Sequence, residues 1–168
     1  MRKTAVYGTS AVVLATAINL THTVSHVGQN VFSLEAWQWV YVIVVIYLAP
    51  IVAAVLLWTP LRLAGARLLL GSMAGSLASD CAYHFLIPGP DNVFTLEPGA
   101  WLAPFWVSTV LLVAASGLGA LVGGWAVLRL QRPEASAPPG GPVVIERTGM
   151  NEMMDPNVCR QRYQEMMR

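Results

Sequence analysis

The sequence predicts an all-α integral membrane protein: a four-helix, up-down-up-down bundle with a flexible cytoplasmic C-terminal tail. Three observations predict it. First, the 168 residues are 55% hydrophobic and only 11% charged, against roughly 45–50% and 25% in soluble domains. Second, the apolar residues fall into four runs, about 5–28, 37–58, 63–87 and 101–130. A bilayer core about 30 Å thick takes roughly 20 helical residues to cross, and only helices or closed barrels leave no backbone group unpaired in lipid. Third, the basic residues alternate sides along the chain. Arg2 and Lys3 precede the first run, Arg62 and Arg67 flank the turn between the second and third, and Arg129 and Arg132 close the fourth. The other two connections hold only acids, Glu35 in one and Asp91 and Glu97 in the other. The positive-inside rule then places both termini in the cytoplasm and both acidic loops outside, in a multi-pass protein of the cell membrane. Trp37, Trp39 and Trp101 fall at the outer aromatic belt and Trp58 at the inner one.

Each run has its own punctuation. The first begins Met1-Arg2-Lys3 and passes through Ala15-Thr16-Ala17. That is the outline of a secretory signal, but the run is expected to stay as the first helix. Pro50 is expected to kink the second helix, and Thr59-Pro60 to end it. In the third, Arg67 can snorkel to the interface, and Pro88-Gly89-Pro90 stops the helix. The loop 88–99 is long enough to fold over the bundle as a lid, although a plain connector is the simpler expectation. Small residues recur four apart at Gly71, Gly75 and Ser79, at Gly119 and Gly123, and at Ser116, Ala120 and Gly124. Such faces let helices approach closely in lipid. They are expected to pack within the bundle first, and otherwise against a second copy or other membrane subunits.

Residues 1–132 form the helical domain and 133–168 a separate region. The latter opens with a Pro/Gly-rich linker, 133–142, followed by a polar tail with Met150, Met153, Met154, Met166, Met167 and Cys159. Thioether and thiolate groups suit Cu(I). The methionines come partly as adjacent pairs, so an amphipathic segment with methionine as adaptable filler is the first expectation. Cys81 and Cys159 lie on opposite sides of the membrane in this topology, which excludes a disulfide between them. A net charge of +1 without a Lys/Arg cluster, zinc finger or phosphate loop excludes nucleic-acid binding.

The chemistry is concentrated in two helical turns. His22 and His26 stand four apart on the first helix, and Asp80 and His84 four apart on the third. That spacing sets two side chains on one helix face, one turn apart, as a pair of metal ligands requires. The chain has no other histidine. His26 and His84 lie near the outer ends of their helices, with His22 and Asp80 one turn deeper, so all four occupy one layer. The first and third helices are parallel and diagonal in such a bundle. With neighbouring axes about 8–10 Å apart, inward-facing imidazoles can share an ion across the diagonal. An ionised residue at mid-span costs about 2.5–3.5 kcal/mol on insertion scales, so a compact site for a transition metal is the economical reading. Copper or zinc is favoured on the outer side, with iron less so. The alternatives are a b-type haem between His26 and His84, a proton or ion pathway, and a polar cluster that only locks the bundle. Asn19 extends the first-helix face inward and Gln29 and Asn30 extend it outward, while Ser76 and Ser79 lie near Asp80. Ser25 is expected to bond its own backbone, Cys81 to be buried filler, and Tyr83 to be an interfacial anchor.

The Asp80-x-x-x-His84 turn is similar to one in a core subunit of the copper membrane monooxygenases that oxidise methane and ammonia. There a further histidine follows on the same helix; none follows His84 here. The donor set is also similar in type to the His and Asp zinc sites of membrane ceramidases and related receptors, which have seven spans where this chain has four. Neither resemblance assigns a family.

Overall fold

A computed structural model describes residues 2–31 and 34–132, together with Arg160 and Tyr163. The described chain is helical, with no strand among these residues. Helix α1 spans Arg2–Gln29, α2 Ala36–Leu57, and α4 Leu102–Gln131. Between α2 and α4, helix α3 runs over Arg62–Cys81 and continues through a wider π turn, Ala82–Leu86. All these bounds lie within a few residues of the apolar runs. Three of the helices, α1, α2 and α4, are long and apolar enough to cross a membrane. Helix α3 is outside that set. Arg67, Asp80 and the serines at 72, 76 and 79 dilute its apolar content, and most of them face the interior.

Packing follows sequence order. Helix α4 lies against α3 and α1, α2 lies against the same pair, and α1 and α3 meet only across the diagonal. The half of this unit away from the histidines, termed inner for that reason alone, is packed by small and branched residues, among them Val12, Ala53, Leu57, Ala66, Leu69, Met73 and Ala126. Two glycines permit the approach. A Cβ at Gly123 would stand 2.7 Å from the backbone nitrogen of Leu70, and one at Gly65 would stand 2.9 Å from that of Leu57. Small residues at these points bring α3 onto α4 and onto α2.

Two helices depart from α geometry. In α2 the segment Val42–Leu48 is a π turn, closed by the Ala49 amide donating to the Val44 carbonyl. Pro50 lies just beyond it. Proline has no N–H to give to the carbonyl four residues back, and its ring crowds that carbonyl, so the ladder here widens to five-residue steps. The effect of Pro50, expected as a kink, is thus seen as a widened turn. The second π turn carries His84.

Helix α1 ends on Asn30, which has a φ of 59°. The Asn30 amide donates to the Val27 carbonyl and the Val31 amide to the His26 carbonyl. This pair of bonds is a Schellman stop, which needs a left-handed residue and takes Asn next after Gly. Asn30 therefore terminates the helix and does not extend its polar face. The linker 133–142 and the methionines and Cys159 of the tail lie outside the described residues.

Candidate metal centre

His22 and His26 come from the last two turns of α1. His84 comes from the π turn at the end of α3, and the loop 88–99 closes over all three. The Nε2 atoms converge. His22 Nε2 is 2.9 Å from His26 Nε2 and 3.2 Å from His84 Nε2, and the three donor atoms all lie within 4.8 Å of one another. Metal–imidazole bonds of about 2.0–2.1 Å at tetrahedral angles separate the nitrogens by about 3.3 Å. Shifts of a few tenths of an ångström on the short edges, and closure of the third, bring the triangle to that size.

The outer nitrogens of His22 and His84 are held by oxygen atoms, and that of His26 faces one. His84 Nδ1 donates to the Asp91 carbonyl at 2.9 Å. A carbonyl only accepts, so the ring proton is on Nδ1 and Nε2 carries a lone pair. His22 Nδ1 stands 3.0 Å from Ser108 Oγ, whose own proton points to the Phe105 carbonyl at 3.0 Å. His26 Nδ1 lies 3.5 Å from Asp91 Oδ1, an atom that is buried and has no hydrogen-bond partner. Burial pushes the Asp91 carboxyl up to about 6. Oxygen partners on the far side of ligating histidines fix the tautomer and raise ligand basicity.

The short contacts at His22 have a further consequence. If His22 Nε2 is unprotonated, its lone pair faces that of His84. If it is protonated, one proton must serve two nitrogens in different directions. No set of neutral tautomers fills both contacts with well-aligned hydrogen bonds. A cation between the three nitrogens does so.

The surroundings divide into a sealed side and an open side. Phe105 is fully buried, with its ring centroid 5.0, 4.9 and 5.8 Å from those of His22, His26 and His84. It walls off the α4 side. Above, the loop is pinned by the Val93 amide to the His84 carbonyl, by Asn92 Nδ2 to the Ile87 carbonyl, and by Gln29 Nε2 to the Glu97 carbonyl. The loop is therefore a fixed cap over the cluster, where a plain connector is the simpler expectation. Trp101 completes it, with ring atoms 2.2–2.6 Å from where a Cβ on Gly28 would lie. On the other side, all three histidines border a cavity of about 170 Å³ between α1, α2 and α3.

The structure brings His22, His26 and His84 together and places Asp80 apart from the converging nitrogens. Asp80 is 4% exposed, and its Oδ2 accepts from Ser116 Oγ at 2.9 Å. It lines the same cavity. The π turn is the physical reason. A π turn takes up an extra residue, and each residue is worth roughly 100° around a helix. His84 is thereby turned relative to Asp80, although both still border the one cavity. Ser25 bonds the Thr21 carbonyl, as expected. Cys81 is a half-buried free thiol outside the cluster, and Tyr83 lines the cavity beside the Trp37 ring.

Sequence reasoning passed over Phe105 and Ser108, read Ser116 only as a small packing residue, and read Asp91 only as a charge of the loop. A signal existed for the first three. Phe105, Ser108, Leu112, Ser116, Gly119 and Gly123 follow the three- and four-residue steps of one buried helix face. For Asp91 there was none, because its role depends on how the loop folds. Comparison of the chain with known protein families, with curated proteins and with solved structures finds no match.

Proposed function

We propose that this chain is a four-span membrane protein, with both termini cytoplasmic, that binds one transition-metal ion through His22, His26 and His84. The convergence of three Nε2 atoms at His22, with no neutral tautomer set to fill the contacts, carries this reading. Neutral imidazoles suit copper, zinc and iron. Copper or zinc is favoured by an outward-facing site, and the ion would serve a small metalloenzyme, a metal-handling protein or a subunit of a membrane oxidoreductase. Asp80, one turn deeper on the cavity wall, is proposed as a carboxylate available to the ion's remaining position or to a molecule bound there. Including α3 as a span rests on its length and on the polar residues it turns inward. The orientation rests on the basic residues at the two termini and at the α2–α3 turn.

The other readings fit less well. A haem between His26 and His84 needs the space between their Nε2 atoms for its macrocycle, and His22 Nε2 stands there, 2.9 Å from the first and 3.2 Å from the second. A proton pathway needs polar groups continuing inward; Asn19, Ser76, Ser72 and Thr4 are buried in that direction, but none of them is ionisable, and alanine, valine and leucine pack around them. The reading as a structural lock has one observation of its own: His22 to Ser108 and His84 to Asp91 tie α1, α3, α4 and the loop together.

Elemental analysis of natively purified protein separates them. About one equivalent of copper or zinc is expected in wild type, and close to none after His22→Ala or His84→Ala. Wild type holding less than about a tenth of an equivalent of any transition metal, with both variants destabilised, leaves the structural lock. Reporter fusions at Arg132 and in the loop 88–99 check the orientation; an external Arg132 overturns it.

A further inference from the structure

We infer that the cavity beside the three histidines is a binding site for a small, neutral, largely apolar molecule carrying one metal-ligating nitrogen, oxygen or sulfur atom. The inference deepens the metal-site reading and rests on it. A three-histidine set leaves a tetrahedral ion one position short, the arrangement of metal sites that take an exchangeable ligand. Phe105 and the pinned loop 88–99 close two sides of the cluster, so the remaining position faces the cavity.

Size, surface and charge then define the occupant. The volume is about 170 Å³, comparable to a cavity of about 150 Å³ that takes benzene. Trp37, Tyr41, Ile46, Tyr47 and Tyr83 supply most of a wall suited to an apolar or aromatic body. Asn19, Gln38 and Ser79 also border the space, and Tyr47 is already engaged with Thr23, their hydroxyls 3.2 Å apart. Asp80 and Asp91 border the space and, among the described residues, no Lys or Arg does, which selects against anions. The π turn of α2 supplies Val42, Ile46 and Tyr47 to this wall. Single π turns occur frequently at functional sites, and here the widened turn shapes the chamber. Trp37 and Trp39 are both exposed and stand at the rim, so entry is from the outer end of α1 and α2.

The test uses the full chain in lipid nanodiscs, loaded with Cu(II), or with Co(II) if zinc is the resident metal. It is titrated with 4-methylimidazole, 4-phenylimidazole and azide. The expected result is a saturable shift of the ligand-field spectrum with 4-methylimidazole and a weaker response to azide. Ile46→Trp fills the cavity without touching a histidine. It should keep its metal and weaken 4-methylimidazole by at least about tenfold. If that variant does not fold, Ile46→Ala enlarges the space and should improve 4-phenylimidazole relative to 4-methylimidazole by about tenfold. A metal-loaded wild type whose spectrum does not move, or that binds azide more tightly than the azoles, overturns the inference and leaves the metal site standing. Equal azole binding in wild type and the Ile46 variants also overturns it. A wild type that holds no metal overturns both.

Discussion

The two ends of the helical unit are built on opposite terms. The inner end is filled by Val12, Ala53, Leu57, Ala66 and Leu69, with glycines where backbones touch. The outer end buries His22, Ser25, Asp80, His84 and Ser108, contains both π turns, and keeps a cavity. Packing accounts for the first arrangement, since close contact in lipid rewards small side chains. It does not account for the second, because buried polar groups cost free energy unless each is partnered. The outer end gives up packing to hold an arrangement of nitrogen atoms, and substitutions at the two ends should therefore fail in different ways.

The largest contrast is expected between His22→Ala and Gly123→Val. His22 is the one ring whose Nε2 approaches both others. Its loss should lower metal affinity by more than the roughly 10–100-fold seen for residues that merely support a ligand. Gly123→Val drives side-chain atoms into the Leu70 backbone, which should cost roughly 1–3 kcal/mol of stability and leave metal content per folded protein unchanged. Elemental analysis and thermal unfolding, measured on both variants, check the pair. If Gly123→Val sheds metal without losing stability, the two ends are not independent.

Next in size is Ser108→Ala. The hydroxyl touches no metal position; it meets the far side of His22 and also bonds the Phe105 carbonyl of its own helix. Removing it should weaken metal binding by about 10–100-fold, with helix content intact by circular dichroism. An unchanged affinity in a competition titration with a chelator removes Ser108 from the supporting set. Asp91→Ala then probes whether the loop holds the site through its side chain. The Asp91 carbonyl bond to His84 comes from the backbone and survives the substitution. The expected loss is smaller, about tenfold or less, by the same titration.

These residues also mark the limit of what the sequence discloses. The helices were legible because span length and apolar content are local properties, and the three histidines because four-residue spacing and depth put them in one layer. Asp80 was legible as a buried acid but not in its partner. Its pairing with Ser116 is a contact between two helices, and the pattern within either helix does not name the partner. Pro50 announced a disturbance in α2, yet proline lifts one hydrogen bond and packing decides whether the helix bends or widens. Asp91 lies beyond reach for a different reason. A carbonyl that fixes a tautomer has no side-chain signature, and where the loop carries it is set by three separate hydrogen bonds.

The smallest expected effect sits where the two ends of α1 differ in how they terminate. Asn30 holds its φ of 59° so that the chain can turn out of the helix immediately after the histidine turns. Gly adopts that conformation without a Cβ, while Ala pays a steric cost there. Asn30→Gly should be neutral to slightly stabilising. Asn30→Ala should cost about 1 kcal/mol, read as a lowered unfolding temperature. Because the Schellman bond from Val31 is made to the carbonyl of His26 itself, the Ala variant should also loosen the last turn and weaken metal binding about twofold to fivefold, a second effect of under about 1 kcal/mol. If Asn30→Ala changes stability but not affinity, the stop serves the helix alone, and the position of His26 is set by its neighbours across the cluster.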